Sequence, residues 1–258
     1  MLSKNITRLK SFFPFLIFCF ISTSIYSGDA TSLNSFPQSG IYLGASATKD
    51  TAYYKFNRRD FNSPLLFIDQ DISVLSGTGG AGEVYLGYKY SFFYRYSVAL
   101  EGFYNRSFNS ARFNLLDTNT LYSRQLTGSF KQKWLAGIVL RPGVYFTSKS
   151  LFYGRVGWIK SEVTLDGNII QNGVAPYGSF SGDLNRPVDL NGIQLGLGME
   201  LQIIPRLNLR LEWDWNRVQD YVFNNVIRDS MGNPFAIFRT ASHPTLEQIK
   251  LGLNWCFG

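Results

Sequence analysis

The sequence predicts an all-β fold: an eight-stranded antiparallel transmembrane β-barrel, an up-and-down meander, preceded by a signal peptide. Three observations predict it. Apolar and polar residues alternate over long segments, long and short connections alternate along the chain, and aromatic residues gather at both ends of the predicted strands. After the N-terminus, no segment approaches the roughly 18 consecutive apolar residues that a membrane-spanning helix needs.

The composition limits the class of protein. The 258 residues have room for one domain or at most two small ones. Aromatic residues make up 16% and charged residues 17%, whereas roughly a quarter of a typical soluble domain is charged. These values exclude a disordered chain, a coiled coil and a disulfide scaffold. One histidine and two cysteines also exclude a zinc cluster or a multi-histidine iron site, so no cofactor is expected.

The N-terminus has the pattern of a signal peptide. Its first ten residues contain three basic ones: Lys4, Arg8 and Lys10. An apolar run over 12–21 follows, which is too short to cross a bilayer. Small residues then offer three cleavage points: after Ser24, after Ser27 or after Ala30.

Three parts of the chain are therefore predicted. Residues 1–28 are the signal peptide, 29–38 a short periplasmic segment, and 39–258 the barrel. Loss of the signal peptide lowers the formal net charge from +7 to +4, because three basic residues and no acidic residue are removed. So mild a charge on an exported chain predicts no nucleic-acid partner. The expected location is the outer membrane of a bacterial cell.

Period-two alternation predicts the strands, because successive side chains of a strand point to opposite faces. Three strands alternate without interruption: 192–203, 207–216 and 248–257. Five more have less sharply defined ends: 40–49, 81–91, 94–105, 131–146 and 151–163. The total is eight, an even number, as a closed antiparallel barrel requires when both termini lie on the same side.

The connections alternate in length. Three are short: Ser91–Phe93, Thr147–Ser150 and Ile204–Arg206. Four are long and polar: 50–80, 106–130, 164–190 and 217–245. Transmembrane barrels have short periplasmic turns and longer extracellular loops, whereas soluble domains seldom have loops beyond about 15 residues.

The aromatic residues predict two membrane interfaces. The candidates for these interfaces are Tyr90, Phe92, Tyr94, Trp134, Trp158, Trp213, Trp215, Trp255 and Phe257. Those of the second, third and last strands lie near short turns or the C-terminus, and the four other tryptophans lie toward the long loops. Such belts bound the apolar band of a membrane barrel. The alternative is a soluble sandwich, whose core aromatic residues would lie in the middle of the strands.

If the apolar face meets lipid, the polar face lines the lumen. The predicted lumen charge network comprises Glu83, Lys89, Arg95, Glu101, Lys133, Arg141, Arg155, Glu200, Arg210, Glu212, Asp214 and Lys250. Side chains fill the interior of an eight-stranded barrel, and unpaired buried charges are costly. Two alternatives stay open: an ion-paired plug and a narrow, gated water path. Inward glycines are expected to give long Arg and Lys side chains room to cross the lumen: Gly87, Gly137, Gly157, Gly196, Gly198 and Gly252.

Three features resemble catalytic or cofactor motifs without the context those motifs need. Gly77–Gly82 matches G-x-G-x-x-G but opens a strand rather than a helix. Ser46–Lys49 matches S-x-x-K without its companion motifs. His243 is the only imidazole base, and nothing in the sequence indicates a group that would orient it. No catalytic residue and no enzymatic activity are therefore predicted.

Several segments resemble the eight-stranded outer-membrane β-barrel family, that is, the OmpA-like and opacity-type, porin-like surface proteins. The segments are Gly87–Phe92, Val98–Tyr104, Leu140–Phe146, Leu151–Trp158, Gly196–Glu200 and Ile249–Phe257. The resemblance implies contact with outer-membrane lipid and lipopolysaccharide, and recognition of the last strand by the outer-membrane assembly machinery. Family members often end on an aromatic residue, whereas here Gly258 follows Phe257. No peptidoglycan-binding domain is expected after the barrel.

The expected function is structural and surface display: a rigid barrel that presents four long loops to an unknown extracellular partner, for adhesion or host contact. Loops on a rigid scaffold commonly carry binding residues. The first alternative is a low-conductance pore through the charged lumen. The second is a lipid-modifying surface enzyme that uses His243.

Overall fold

The computed structural model describes residues 39–62, 66–93, 95–118, 122–173, 180–228 and 234–257. These residues form one antiparallel sheet of ten strands. The strands are β1 (Gly40–Asn62), β2 (Leu66–Phe92), β3 (Tyr96–Ser107), β4 (Ser110–Thr118), β5 (Tyr122–Thr147), β6 (Ser150–Gly173), β7 (Phe180–Ile204), β8 (Leu207–Val218), β9 (Tyr221–Arg228) and β10 (Pro234–Phe257). Among the described residues there is no helix that is long and apolar enough to cross a membrane.

Eight of the strands close into a ring, in the order β1-β2-β3-β5-β6-β7-β8-β10. The ring closes because β1 pairs with β10 along its length, from Ile41 opposite Phe257 to Asn62 opposite Ala236. Closure satisfies the backbone groups that an open sheet edge would leave unpaired in lipid. The predicted count of eight barrel strands is confirmed. The two other strands add to this ring at one end, β4 on β5 and β9 on β10.

The ring has apolar side chains on its outside and polar side chains on its inside, which is the reverse of a soluble protein. Outward side chains are large, apolar and exposed: Leu86 is 56% exposed and Ile138 59%. Inward side chains are polar and buried, with Glu101 at 0% and Arg155 at 2%. A continuous apolar exterior of this kind needs a lipid environment, and strands can cross a bilayer only as a closed barrel. The chain therefore spans a membrane.

The prediction that the four long polar connections are loops is wrong, because the strands continue through most of their residues. Beyond Asp50, β1 continues to Asn62, which is roughly 40 Å of extended chain. The hairpins stay paired because their inward side chains form part of an apolar cluster that includes Tyr54, Phe130 and Leu246. In that cluster Tyr54 and Phe130 stack, with ring centroids 5.1 Å apart.

The glycine run Gly77–Gly82 has a packing role within β2. A Cβ on Gly77 would lie 2.7 Å from the carbonyl oxygen of Ser110, and one on Gly79 would lie 2.7 Å from the Cα of Asn109. The chain approaches this closely because the Phe108 amide donates to the Gly80 carbonyl at 2.9 Å. These glycines therefore let the start of β4 pack against β2.

Candidate functional site

The centre of the lumen is organised by a single carboxylate, Glu101 on β3. It accepts hydrogen bonds from three guanidinium groups: Arg141 at 2.9 Å, Arg155 at 3.0 Å and Arg210 at 2.7 and 2.8 Å. The Tyr42 hydroxyl also donates to it at 2.9 Å. Glu101 is fully buried, so this carboxylate holds together side chains from four other strands.

Further ion pairs extend the cluster along the barrel. Arg155 also pairs with Glu212 at 2.6 Å and Asp214 at 2.8 Å, and Arg210 pairs with Glu212 at 2.5 Å. Toward the long hairpins, Lys250 bridges Asp214 at 2.9 Å and Glu83. Toward the short turns, the next acceptor is Glu200. It is paired with Arg141 and lies 4.0 Å from Lys89.

These side chains, called here the lumen network, carry balanced charge. Its cations are Lys89, Arg141, Arg155, Arg210 and Lys250, and its anions are Glu83, Glu101, Glu200, Glu212 and Asp214. Five positive groups thus face five negative ones, as burial requires, since an uncompensated buried charge costs several kcal/mol. Asp50 is a sixth buried acid. It accepts hydrogen bonds from Ser107 at 2.7 Å and Gln248 at 2.9 Å.

Three inward tyrosines complete the packing, and each lies opposite a glycine on the neighbouring strand. The cross-strand pairs are Tyr42 with Gly87, Tyr85 with Gly44, and Tyr153 with Gly198. A Cβ on any of these glycines would overlap the tyrosine ring. The rings therefore lie flat against the barrel wall. The room left by Gly87 and Gly198 is taken by tyrosine rings, which corrects the expectation that crossing Arg and Lys side chains occupy it.

The arginines stack on the inner faces of these rings. The Arg141 guanidinium carbon lies 3.9 Å from the Tyr153 ring centroid, and that of Arg210 lies 4.0 Å from the Tyr85 centroid. Stacking of this kind suits a planar, delocalised cation. The Tyr153 hydroxyl also donates to Glu212 at 2.8 Å, so this ring contacts both a cation and an anion of the lumen network.

Ten of the twelve residues predicted for the lumen charge network lie in it, and two do not. Arg95 is exposed in the turn between β2 and β3, outside the regular alternation. Lys133 falls at a bulge: Gln132 pairs with Val163 and Trp134 with Glu162, which leaves Lys133 without a place in the ladder. Its side chain is 54% exposed. A one-residue bulge shifts the alternation, and a strict period of two therefore misplaces Lys133.

At this bulge a polar contact forms on the exposed side of the barrel, beyond Trp158. The Lys133 ammonium lies 2.8 Å from one oxygen of Glu162, and the Trp134 indole donates to the other at 2.8 Å. Hydrogen bonds from Lys133 and Trp134 lower the pKa of the Glu162 carboxyl below its ordinary value. The contact therefore favours the folded state above the ordinary carboxyl pKa, and this contribution is lost as pH falls through the lowered one.

The alternation identified charged lumen residues but missed the neutral groups that complete the site. Tyr42, Tyr85 and Tyr153 share the inward face with the charges, and Gln194 and Gln248 bind Asp214 and Asp50. Applied to every residue of a strand rather than to the charged ones alone, the same alternation could have found them. Asp50 was missed for another reason, since it lies where a long connection was predicted to begin.

The predicted interface aromatics lie on the outer face wherever the structure describes them. At the short-turn end Tyr90 is 54% exposed and Phe257 54%, with Phe92 and Trp255 beside them. At the other end Trp158 is exposed, and Trp134, Trp213 and Trp215 are half-buried. Trp134 stacks on Tyr104, with centroids 6.4 Å apart. Tyr94 lies outside the described residues.

The motif-like segments bring together no catalytic group. Ser46 faces the lumen whereas Lys49 is exposed outside, on opposite faces of β1. The backbone of His243 pairs with that of Lys55, and the His243 side chain lies outside the described residues. Within the described ranges, no group of three His, Cys, Asp or Glu side chains is placed to hold a metal ion.

No protein-family model matches the chain, and comparison with curated proteins gives no match either. Three solved structures are similar in fold. The outer membrane protein OprG of Pseudomonas aeruginosa is 11% identical, with 85% of this chain and 98% of that chain covered and a TM-score of 0.43. Neisserial surface protein A is 12% identical (84% of this chain, 97% of that chain, TM-score 0.39), and Ail, the attachment invasion locus protein of Yersinia pestis, is 9% identical (79% of this chain, 97% of that chain, TM-score 0.29). Similarity this distant carries no functional argument. From its own closed ring, apolar exterior and charged interior, the chain has the fold of an eight-stranded outer-membrane β-barrel.

Proposed function

We propose that the chain is a closed structural barrel of the bacterial outer membrane that displays its long hairpins on the cell surface. One observation carries this: a neutral, buried ion-pair network fills the lumen, so the barrel is a rigid support. Glu101 alone joins β3 to arginines of β5, β6 and β8. Such cross-links oppose distortion of the ring.

The hairpins supply the surface for a partner. β1 and β2 remain paired out to Asn62 and Leu66, and β5 and β6 out to Tyr122 and Gly173. These ends lie far beyond the apolar exterior, whose last outward residue on β1 is Ala47. Loops held on a rigid scaffold are the common location of binding residues, and we propose an adhesive or host-contact role for them. Lipopolysaccharide would surround the lower parts of these hairpins.

An epitope inserted between β1 and β2, at residues 63–65, should bind an impermeant antibody on intact cells. The matched control is the same epitope in the Ser148–Lys149 turn, which should bind only after the outer membrane is permeabilised. Recognition of the turn epitope on intact cells would contradict the proposed orientation.

The adhesive role is tested separately, by shortening the hairpin over 217–245 in a barrel that still folds. Loss of cell or matrix binding is the expected result.

For the pore alternative, we expect the isolated, folded protein to give no channel steps in a planar bilayer. The lumen network crosses the interior, and its arginines are at most 3% exposed. Folding is verified by the different gel mobilities of boiled and unboiled protein. Small, reproducible steps whose ion selectivity changes in Arg210→Gln would overturn the closed-barrel proposal and favour a pore.

We propose no enzymatic activity for the chain. A surface enzyme that uses an imidazole base would need His243, because the sequence has no other histidine. A hydrolytic or acyl-transfer activity that is lost in His243→Ala would contradict this part of the proposal.

A further inference from the structure

A cavity of about 570 Å³, lined by both polar and apolar side chains, opens at the short-turn end of the barrel, where the lumen network ends. Its floor contains Lys89, Glu200 and Cys256, and its rim is formed by two turns that carry Lys149 and Arg206. Pockets of this volume hold small organic ligands. We call it the periplasmic vestibule, because the short turns of such barrels face the periplasm.

The charged groups of the periplasmic vestibule are unbalanced. Its lining includes three cations, Lys89, Lys149 and Arg206, and one anion, Glu200. The charge of Glu200 is already engaged, since Arg141 pairs with it from the lumen side. Lys89 and Glu200 also belong to the balanced lumen network, so the excess positive charge of the cavity comes from Lys149 and Arg206.

Lys89 is the buried cation at the floor of this cavity. The residue is 8% exposed, yet its ammonium lies 4.0 Å from the nearer oxygen of Glu200, beyond hydrogen-bond distance. The Tyr145 side chain accepts a hydrogen bond from this ammonium, and the Tyr145 ring centroid is 6.0 Å away. An ammonium carries three donors, and Tyr145 takes one of them. A further acceptor in the cavity would complete its coordination.

Arg206 provides an independent indication. It has a backbone φ of 75° in the turn after Ile204, a conformation that favours glycine. Residues kept in such conformations often serve a site. An arginine at this position places an exposed cation at the rim of the cavity, where glycine would fit the turn with less strain.

We infer that the periplasmic vestibule binds an organic anion of the periplasm through its phosphate group, with Lys89 at the floor and Lys149 and Arg206 at the rim. The phosphate could belong to a soluble phosphate ester or to the headgroup of an inner-leaflet lipid. Both present the same oxyanion to the same three cations. Apolar lining from Leu151 and Pro205 would contact the organic part.

Cys256 makes the inference testable, because its half-buried thiol lines the cavity beside Lys89. In protein isolated from outer membranes, modification of Cys256 is followed by peptide mass spectrometry. A sulfonate-bearing methanethiosulfonate should modify it roughly fivefold faster than a trimethylammonium-bearing one, since nearby charges select between them. This preference should disappear in Lys89→Gln and weaken in Arg206→Gly. The second variant leaves the lumen network untouched and suits the turn.

Two arms identify the source of the phosphate. Glycerol 3-phosphate is added to detergent-solubilised protein, and separately the protein is placed in phosphatidylcholine nanodiscs with or without phosphatidylglycerol. Slower modification of Cys256 by a neutral maleimide in the first arm indicates a soluble ester, and in the second a lipid headgroup. Lys133→Gln, which removes a cation at the other end of the barrel, is the matched control and should change neither rate. Absence of protection in both arms, or equal protection in Lys89→Gln, would overturn the inference.

Discussion

Glu101→Gln is expected to lower the free energy of unfolding of the barrel by about 3–5 kcal/mol, because it removes one partner of a buried ion-pair cluster. The side chain keeps its size, so the effect reports charge rather than volume. A neutral amide would face three guanidinium groups that now share one carboxylate. Its NH₂ group would also point a donor at groups that only donate.

The measurement is the urea midpoint of the heat-modifiable, folded form in lipid vesicles. Glu162→Gln is the matched control, because it makes the same chemical change in a partly exposed pair with Lys133. Exposed pairs contribute about 0–1 kcal/mol, so its midpoint should stay near that of the unaltered protein. Equal midpoints for the two variants would show that the lumen network does not stabilise the barrel.

The second large effect is expected from Gly198→Ala. The added methyl group would overlap the Tyr153 ring, which lies between the wall and Arg141 and whose hydroxyl binds Glu212. Overpacking of a filled interior typically costs about 1–3 kcal/mol. The ring cannot move inward without disturbing both of these contacts.

Gly154→Ala supplies the control for this substitution. Gly154 follows Tyr153 on β6, and a Cβ there meets no atom within 4 Å. The same methyl group should therefore leave the urea midpoint unchanged, or raise it slightly through the loss of glycine flexibility in the unfolded chain. If both alanine variants unfold at the same urea concentration, the tyrosine–glycine pairs are not a packing constraint.

Much of the ring could be predicted from sequence, because lipid outside and charge inside impose a period of two on every spanning strand. That period placed Glu101, Arg155 and Asp214 on one face without any knowledge of their partners. It could not say which charges meet, since Arg210 and Glu101 are 109 residues apart. Pairing across a barrel depends on register and stagger, which alternation within a single strand does not contain.

The misplaced strand ends have a different cause. Above the membrane the outward face is polar, so the contrast between faces that identifies a strand weakens there. Inward residues such as Ala52 and Tyr54 still pack, but a polar, glycine-containing segment resembles a loop in composition. For Lys133 the prediction of its face failed for a local reason, because one bulged residue changes which face the next side chains occupy.

The pairing of β1 with β10 also determines when the protein can fold. The first and last strands of the ring are neighbours, so a chain still emerging from the translocation machinery cannot close. Until the ring closes, the ion pair between Lys250 and Glu83, which are 167 residues apart, cannot form. The charged face of each strand is then not enclosed in a lumen. Contacts at such separations form late and slowly. The lumen network is therefore completed only when the final strand has paired with the first.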